Sequence, residues 1–470
     1  MTVSILVAAL ALALMSGRHE RALSTATNLS ITEETIVIYD ATLIDGSGRA
    51  PVKDAVVAIK GDSILAIGRA GRIELPPGSR VVRIDARGLV LTPGLVDLHT
   101  HLRQPGREDK ETVASGCRAA AVGGFTAVSP MANTDPVADN AAVIHEVLEL
   151  ARASGACDVF PVGAITRGLG GEEMAELGEM VDAGVRMFSD DGRCVPNPRL
   201  LRNALTYVRA FDGVVIAEHC EDDSLAEGGQ MHEGLISASL GLAGQPREAE
   251  EVVVARDLAI ARLTGGRLHL CHLSSAGSVE MLRRAKAEGL RVTAEVTPHH
   301  LVFSEEELLT YDTNMKMNPP LRSAEDRSAL RSALADGTID AVATDHAPHA
   351  VEEKEAEFDQ APFGTIGLET ALAAVLTYLV ETGELSLARA IDALSTTPAR
   401  ILGAGDHGGP IEPGRPANLV VFDPSAEWAV EPPFASKSRN SAFSGRGLRG
   451  RVVHTVLRGE LVVADGKAQR

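Results

Sequence analysis

The chain has 470 residues, enough for a large core, with 64 acidic against 45 basic side chains and a formal net charge of −19. Such acidity, with no long Lys/Arg run and only 3% aromatic residues, excludes a nucleic-acid-binding face and a base-stacking platform. The five cysteines, Cys117, Cys157, Cys194, Cys220 and Cys271, are scattered and odd in number, which fits free thiols in a reducing, cytoplasmic compartment better than a disulfide framework.

From the N-terminus, residues 2–15 are apolar and Ala/Leu-rich, too short a run to span a bilayer. They are similar to the apolar part of a secretory signal but lack positive charges in front of it. A signal peptide, a disordered extension and an over-long start are the alternatives. The latter two are preferred, so residues 1–34 are set aside as an extension. Short strands are predicted at 35–39, 56–59, 63–67 and 81–85. Gly46-Ser47-Gly48, Lys60-Gly61-Asp62 and Pro76-Pro77-Gly78 supply the turns between them. Near the C-terminus, strands are predicted at 418–422 and 452–457, with a hairpin partner at 459–463. The two ends are expected to pair into one small β domain, 35–92 with 405–470, around a catalytic domain at 93–404.

Between these ends apolar runs alternate with helical periodicity, the signature of βαβ units and a parallel sheet. Eight strands are predicted, at 95–99, 126–130, 159–164, 185–190, 214–219, 268–272, 291–297 and 341–345. Helices are predicted between most of them, including 141–153, 199–210, 248–264, 278–288 and 324–335. Eight strands in this alternation imply an α/β fold, a (β/α)8 TIM barrel with the small β domain beside it.

The first barrel strand runs into Val96-Asp97-Leu98-His99-Thr100-His101-Leu102-Arg103. Alternate strand residues point the same way, so His99 and His101 face one site and Arg103 continues the alternation. A lone His-x-His is weak evidence for a metal, but matching residues close later strands. Strand four ends Phe188-Ser189-Asp190-Asp191-Gly192, strand five Glu218-His219-Cys220, strand six Cys271-His272, and strand eight Thr344-Asp345-His346-Ala347-Pro348-His349. In a barrel these ends converge on one mouth, where active sites lie.

Each residue alone has a plain explanation: His219 or His272 as a hydrogen-bonded core histidine, Asp190 or Asp191 as a turn residue, Asp345 as a helix cap. Together they read as a site for zinc or a similar divalent ion. Four histidines and one bridging carboxylate hold two ions, which generate hydroxide near neutral pH and polarise a carbonyl. A carboxylate opposite them then moves the proton, a role that suits Asp345. The chemistry implied is addition of water to an amide-type carbonyl, or its reversal. Asp190 and Asp191 point to opposite faces, and the residue pattern does not choose which one bridges. His19, His145, His232, His407 and His454 read as structural or solvated, and His269 as facing away from the direction of His272. His299 and His300 are candidates to orient the ligands.

These segments, with Gln104-Pro105-Gly106, Met131-Ala132-Asn133-Thr134, Glu295-Val296-Thr297-Pro298-His299-His300, Lys316-Met317-Asn318-Pro319-Pro320-Leu321-Arg322 and Ala361-Pro362-Phe363-Gly364, resemble the bacterial type I dihydroorotases of the amidohydrolase superfamily. The resemblance covers roughly residues 35–465. It implies reversible cyclisation of N-carbamoyl-L-aspartate to L-dihydroorotate in pyrimidine synthesis, with two zinc ions per subunit. By it, His99, His101 and Asp191 bind one zinc, and Asp191, His219 and His272 the second. Asp345, counted among the metal-facing residues, is the catalytic acid/base. Arg103, Asn133 and His349 would hold the substrate carboxylate, with Asn318 and the backbone at Phe363 and Gly364 against the ring. Residues 311–322 match the family's mobile substrate loop, a lid. A homodimer and, as in some relatives, a complex with aspartate transcarbamoylase are further implications; nucleic acid and membrane are not.

Arg103 suits its role on its own chemistry, since guanidinium binds a carboxylate bidentately; a surface ion pair is its plain alternative, as a turn is for Asn133. The similar dihydropyrimidinases, hydantoinases and allantoinases bridge their metals with a carbamylated lysine on strand four. No lysine occurs here between Lys110 and Lys286, which argues against those branches. Ala132 stands where the motif more often has proline, with no evident functional cost. Two rival readings are a hydrolase for another cyclic amide and a silent homologue that scaffolds a partner enzyme. Silent homologues normally lose metal ligands, whereas this chain keeps the expected set.

Overall fold

The computed structural model describes residues 34–69, 73 and 80–470; the expectations for residues 1–33 and for the turn at 76–78 lie outside these. Val90–Pro93 joins the two ends of the chain. It pairs in parallel with Thr35–Leu43 and antiparallel with Leu419–Ala429, so N- and C-terminal strands share one sheet. Val52–Lys60 and Ser63–Arg69 extend the sheet on one side, Gly447–Leu457 and Glu460–Ala464 on the other. Leu91, Val421, Ile38, Val57 and Val456 pack its core. Leu419–Ala429 and Gly447–Leu457 outrun their expected lengths. A register shift between Asp423 and Glu427 carries the pairing past Pro424, which cannot donate to a ladder.

Gly94 leads directly from this sheet into the barrel. A Cβ there would lie 2.2 Å from the Thr126 side chain, so the close approach of first and second strands requires glycine. The eight barrel strands are Leu95–Thr100, Phe125–Pro130, Asp158–Val159 continued by Val162–Gly163, Met187–Phe188, Val215–Glu218, Leu268–Leu270, Val292–Val296 and Ala341–Val342. Neighbours pair in parallel. The ring closes where Thr100 bridges His346 and the His101 N–H donates to the His346 carbonyl at 2.8 Å. The third strand breaks at Pro161, which has no N–H to give the ladder.

Several strands stop earlier than expected: the fourth at Phe188, the sixth at Leu270, the eighth at Val342. Their polar ends leave the ladder and turn into the mouth. His272 and Asp345 do so with φ of 29° and 47°, and Arg103 beyond the first strand has φ 62°, a left-handed conformation that costs a non-glycine residue roughly 1–3 kcal/mol and concentrates at functional sites.

Outside the barrel lie helices Ala141–Ser154, Pro198–Tyr207, Glu248–Thr264, Ala276–Ala287 and Ala324–Asp336. Asn140, Ser275 and Ser323 accept hydrogen bonds from the free N–H groups of the first turn, which fixes where three of them start. Among the described residues, no helix is long and apolar enough to cross a membrane.

Candidate active site

Two sets of donor atoms meet at the mouth. On one side, His99 Nε2 and His101 Nε2 lie 3.3 and 3.4 Å from Asp191 Oδ2, and 3.6 and 3.0 Å from Asp345 Oδ1. On the other, His219 Nδ1 and His272 Nε2 face each other at 3.0 Å and lie 3.5 and 3.3 Å from Asp191 Oδ1. The two Asp191 oxygens therefore face different sets. Asp190 turns away: its carboxylate accepts the Ile165 and Thr166 N–H groups and the Thr166 hydroxyl. All six residues of the two sets are buried.

The electrostatics follow from this crowding. Burial alone would raise the Asp191 carboxyl, but His99, His219 and His272 hold it well below the usual carboxylate range. Burial likewise works against a charged His219, yet the neighbouring Asp191 and Glu221 carboxylates push it up to about 10.

The donors fit metal ions in chemistry and spacing. Ligands about 2.0–2.2 Å from one tetrahedral zinc lie roughly 3.3–3.6 Å apart, close to the separations within each set. His99 Nε2 is buried without a hydrogen-bond partner among the described residues, and it points at Asp191. His99 with His101 and Asp345, and His99 with Asp191 and His272, are each close enough to hold an ion.

Beside this cluster opens a cavity of about 320 Å³, lined by His101, Asp191, His219, His272 and Asp345 together with Arg103, Asn133, Asn318, His349, Phe363 and Gly364. The residues expected on the substrate side and those expected on the metal side thus share one chamber; His99 lies beneath it. Asn133 Oδ1 is 3.0 Å from His101 Nδ1. Arg103 donates from Nε to the Pro348 carbonyl at 3.1 Å, and burial lowers it only to about 10, so it is a cation at neutral pH. Burial and the cations Arg103, Lys354 and Lys110 push His349 down to about 2. The neutral ring donates from Nε2 to the Phe363 carbonyl at 2.7 Å.

Two departures from the sequence reading stand out. His300 bonds Thr297 Oγ and the Pro319 carbonyl, so it supports the 311–322 loop and not a donor of the cluster. His269 does not face away. It bonds Glu295, which in turn bonds His99. Strict alternation fails because the sixth strand ends at Leu270 and the chain reverses at His272. His232, by contrast, is buried with Nδ1 3.3 Å from Arg322 Nη1, in keeping with the structural place read for it.

Known proteins are similar to this chain over most of its length. Residues 88–278 match the family described as dihydro-orotase-like, and residues 249–463 the amidohydrolase family. A dihydroorotase from Streptomyces coelicolor is 53% identical over 429 residues, 91% of this chain and 99% of that protein. One from Mycobacterium tuberculosis is 52% identical over 388 residues, 82% of this chain and 90% of that one. Among solved structures, an L-hydantoinase (dihydropyrimidinase) from Arthrobacter aurescens superposes with a TM-score of 0.83 at 27% identity, covering 93% of this chain and 98% of its own. The barrel, its companion sheet and identity of this extent over most of the chain lead to one assignment: the chain belongs to the dihydroorotase family.

Proposed function

We propose that this protein catalyses the reversible cyclisation of N-carbamoyl-L-aspartate to L-dihydroorotate, the dihydroorotase step of pyrimidine synthesis. The observation that carries it is one chamber holding both a buried imidazole–carboxylate cluster and the cation Arg103, in a chain of this family. The cluster suits the amide chemistry; the cation suits a substrate that carries carboxylate.

His99, His101 and Asp191, with Asp345 at their edge, are assigned to one zinc ion, and Asp191, His219 and His272 to a second. Bound there, the pair would lower the pKa of water and polarise the substrate carbonyl. Asp345 is the acid/base. Burial opposes its charge, but His101 and His99 hold the carboxyl below its ordinary range, so it starts as the carboxylate, the form that can take a proton and pass it to the ring nitrogen that leaves. Arg103 and Asn133 take the substrate carboxylate, joined by the His349 Nε2–H once it leaves the Phe363 carbonyl, and Asn318 with the backbone of Phe363 and Gly364 orients the ring. Preorganised donors act strongly among side chains as buried as these.

A test compares wild-type and Asp345→Asn protein, both zinc-loaded, with each substrate in turn. Interconversion that falls at least ~10³-fold in the variant supports the assignment. Equal turnover by the two would remove Asp345 from the chemistry.

The five buried, free cysteines support a cytoplasmic setting. A homodimer and a complex with aspartate transcarbamoylase belong to the same proposal, and light scattering with and without the transcarbamoylase tests both.

A further inference from the structure

Barrel interiors are ordinarily filled by apolar side chains, yet this one contains Glu295 and His269, 1% and 0% exposed. Neither lines the mouth cavity. Burying a carboxylate is costly unless it is fully paired, and here it is. Thr293 Oγ and His269 Nδ1 are 2.8 Å apart, His269 Nε2 and Glu295 Oε2 3.1 Å, and Glu295 Oε1 and His99 Nδ1 2.8 Å. One arrangement of protons satisfies every atom: the Thr293 hydroxyl donates to His269 Nδ1, His269 Nε2–H donates to Glu295, and His99 Nδ1–H donates to its other oxygen.

We propose that Glu295, backed by His269 and Thr293, is a positioning residue that fixes the His99 ring. By accepting the Nδ1–H it leaves the Nε2 lone pair facing Asp191 Oδ2, 3.3 Å away. A carboxylate on the far nitrogen also makes the imidazole a stronger donor. The proposal rests on His99 being a metal ligand. A different use of the same atoms, a further ion held by His99, Cys271 and Glu295, fits less well. The 2.8 Å between His99 Nδ1 and Glu295 Oε1 is a hydrogen-bond distance, shorter than the roughly 3.3–3.6 Å between two ligands of one zinc. The second Glu295 oxygen is already taken by His269.

The test measures zinc stoichiometry and affinity by competition with a chromophoric chelator on the whole protein, with circular dichroism to check folding. Glu295→Gln keeps an acceptor for His99 but removes the charge; Glu295→Leu removes both, and if it fails to fold the near-isosteric Gln variant still decides. The expected result is that affinity for one of two ions falls roughly 10- to 100-fold, more for Leu than for Gln. The other ion should stay bound, and kcat should drop while KM for L-dihydroorotate holds. Wild-type zinc affinity in both variants would overturn the proposal, leaving the chain of bonds as packing. Loss of a third zinc equivalent would overturn it too, making Glu295 a ligand. A His99→Ala control that binds zinc as wild type does would instead sink the ligand reading beneath it.

Discussion

Asp190 and Asp191 are adjacent carboxylates with opposite duties, and they make a clean pair for mutation. Asp191 presents one oxygen to each donor set, so Asp191→Asn is expected to weaken binding of both zinc ions and cut activity by several orders of magnitude. Asp190 pins the Ile165–Thr166 backbone, so Asp190→Asn should leave zinc stoichiometry intact and cost about 1–3 kcal/mol of stability. Metal analysis beside thermal unfolding distinguishes the two. Arg103→Lys should raise KM for both substrates ~10- to 100-fold with a smaller change in kcat, because ammonium cannot reproduce the planar fork. At this scale the sequence is legible where residues lie on a strand or directly follow one: His99 and His101 follow from period-two alternation. It is opaque where the strand ends. Asp190 against Asp191, and the direction of His269, depend on turns after Phe188 and Leu270 that alternation does not describe.

The 311–322 loop, likened above to a lid, is tied down by two lysines. Lys354 Nζ donates to the carbonyls of Thr313 and Pro362 at 2.8 Å and of Lys316 at 3.4 Å. Lys316 reaches back to the Phe358 carbonyl at 2.6 Å and lies over the Phe363 ring. The Gly364 N–H donates to the Lys316 carbonyl at 2.9 Å, so loop and ring-contacting backbone are coupled. Lys354→Met keeps the stem but removes one donor from each of three carbonyls. It should raise KM several-fold and speed hydrogen exchange over 311–318. Burial, with Lys316 nearby, pushes Lys354 down to about 7, whereas the unfolded chain keeps that proton to about 10.4. Above pH 7 the unfolded state therefore binds more protons, and this group's contribution to stability rises with pH up to that limit. The stability difference between wild type and Lys354→Met should shift toward wild type from pH 7 to 9. A flat difference would contradict the depressed value. None of this was readable beforehand: the lysines act on backbone carbonyls, which carry no sequence signal.

Across the whole molecule, the barrel was readable because apolar runs alternate with amphipathic helices, and the composite sheet because strand-like segments flank the barrel at both ends. The seam at Val90–Pro93 was not foreseen as a strand, since four buried residues give too short a pattern to separate from the barrel strand that follows. It now locates a test of how stability and chemistry divide. Leu91 is fully buried in the sheet core, away from the mouth. Leu91→Ala should cost about 2–5 kcal/mol and lower the unfolding temperature, while kcat/KM of the protein that remains folded stays within about two-fold. A matching loss of activity at low temperature would mean that the sheet shapes the mouth.

The most direct measurement of the central claim is the ratio of kcat/KM for L-dihydroorotate to that for 5,6-dihydrouracil, the same ring without the carboxylate, on one zinc-loaded preparation. With Arg103, Asn133 and His349 gathered around the chamber, the ratio is predicted to exceed ~10², as expected for loss of charge-assisted bonds to a guanidinium. A ratio near or below one would contradict the account and place the activity with neutral cyclic amides.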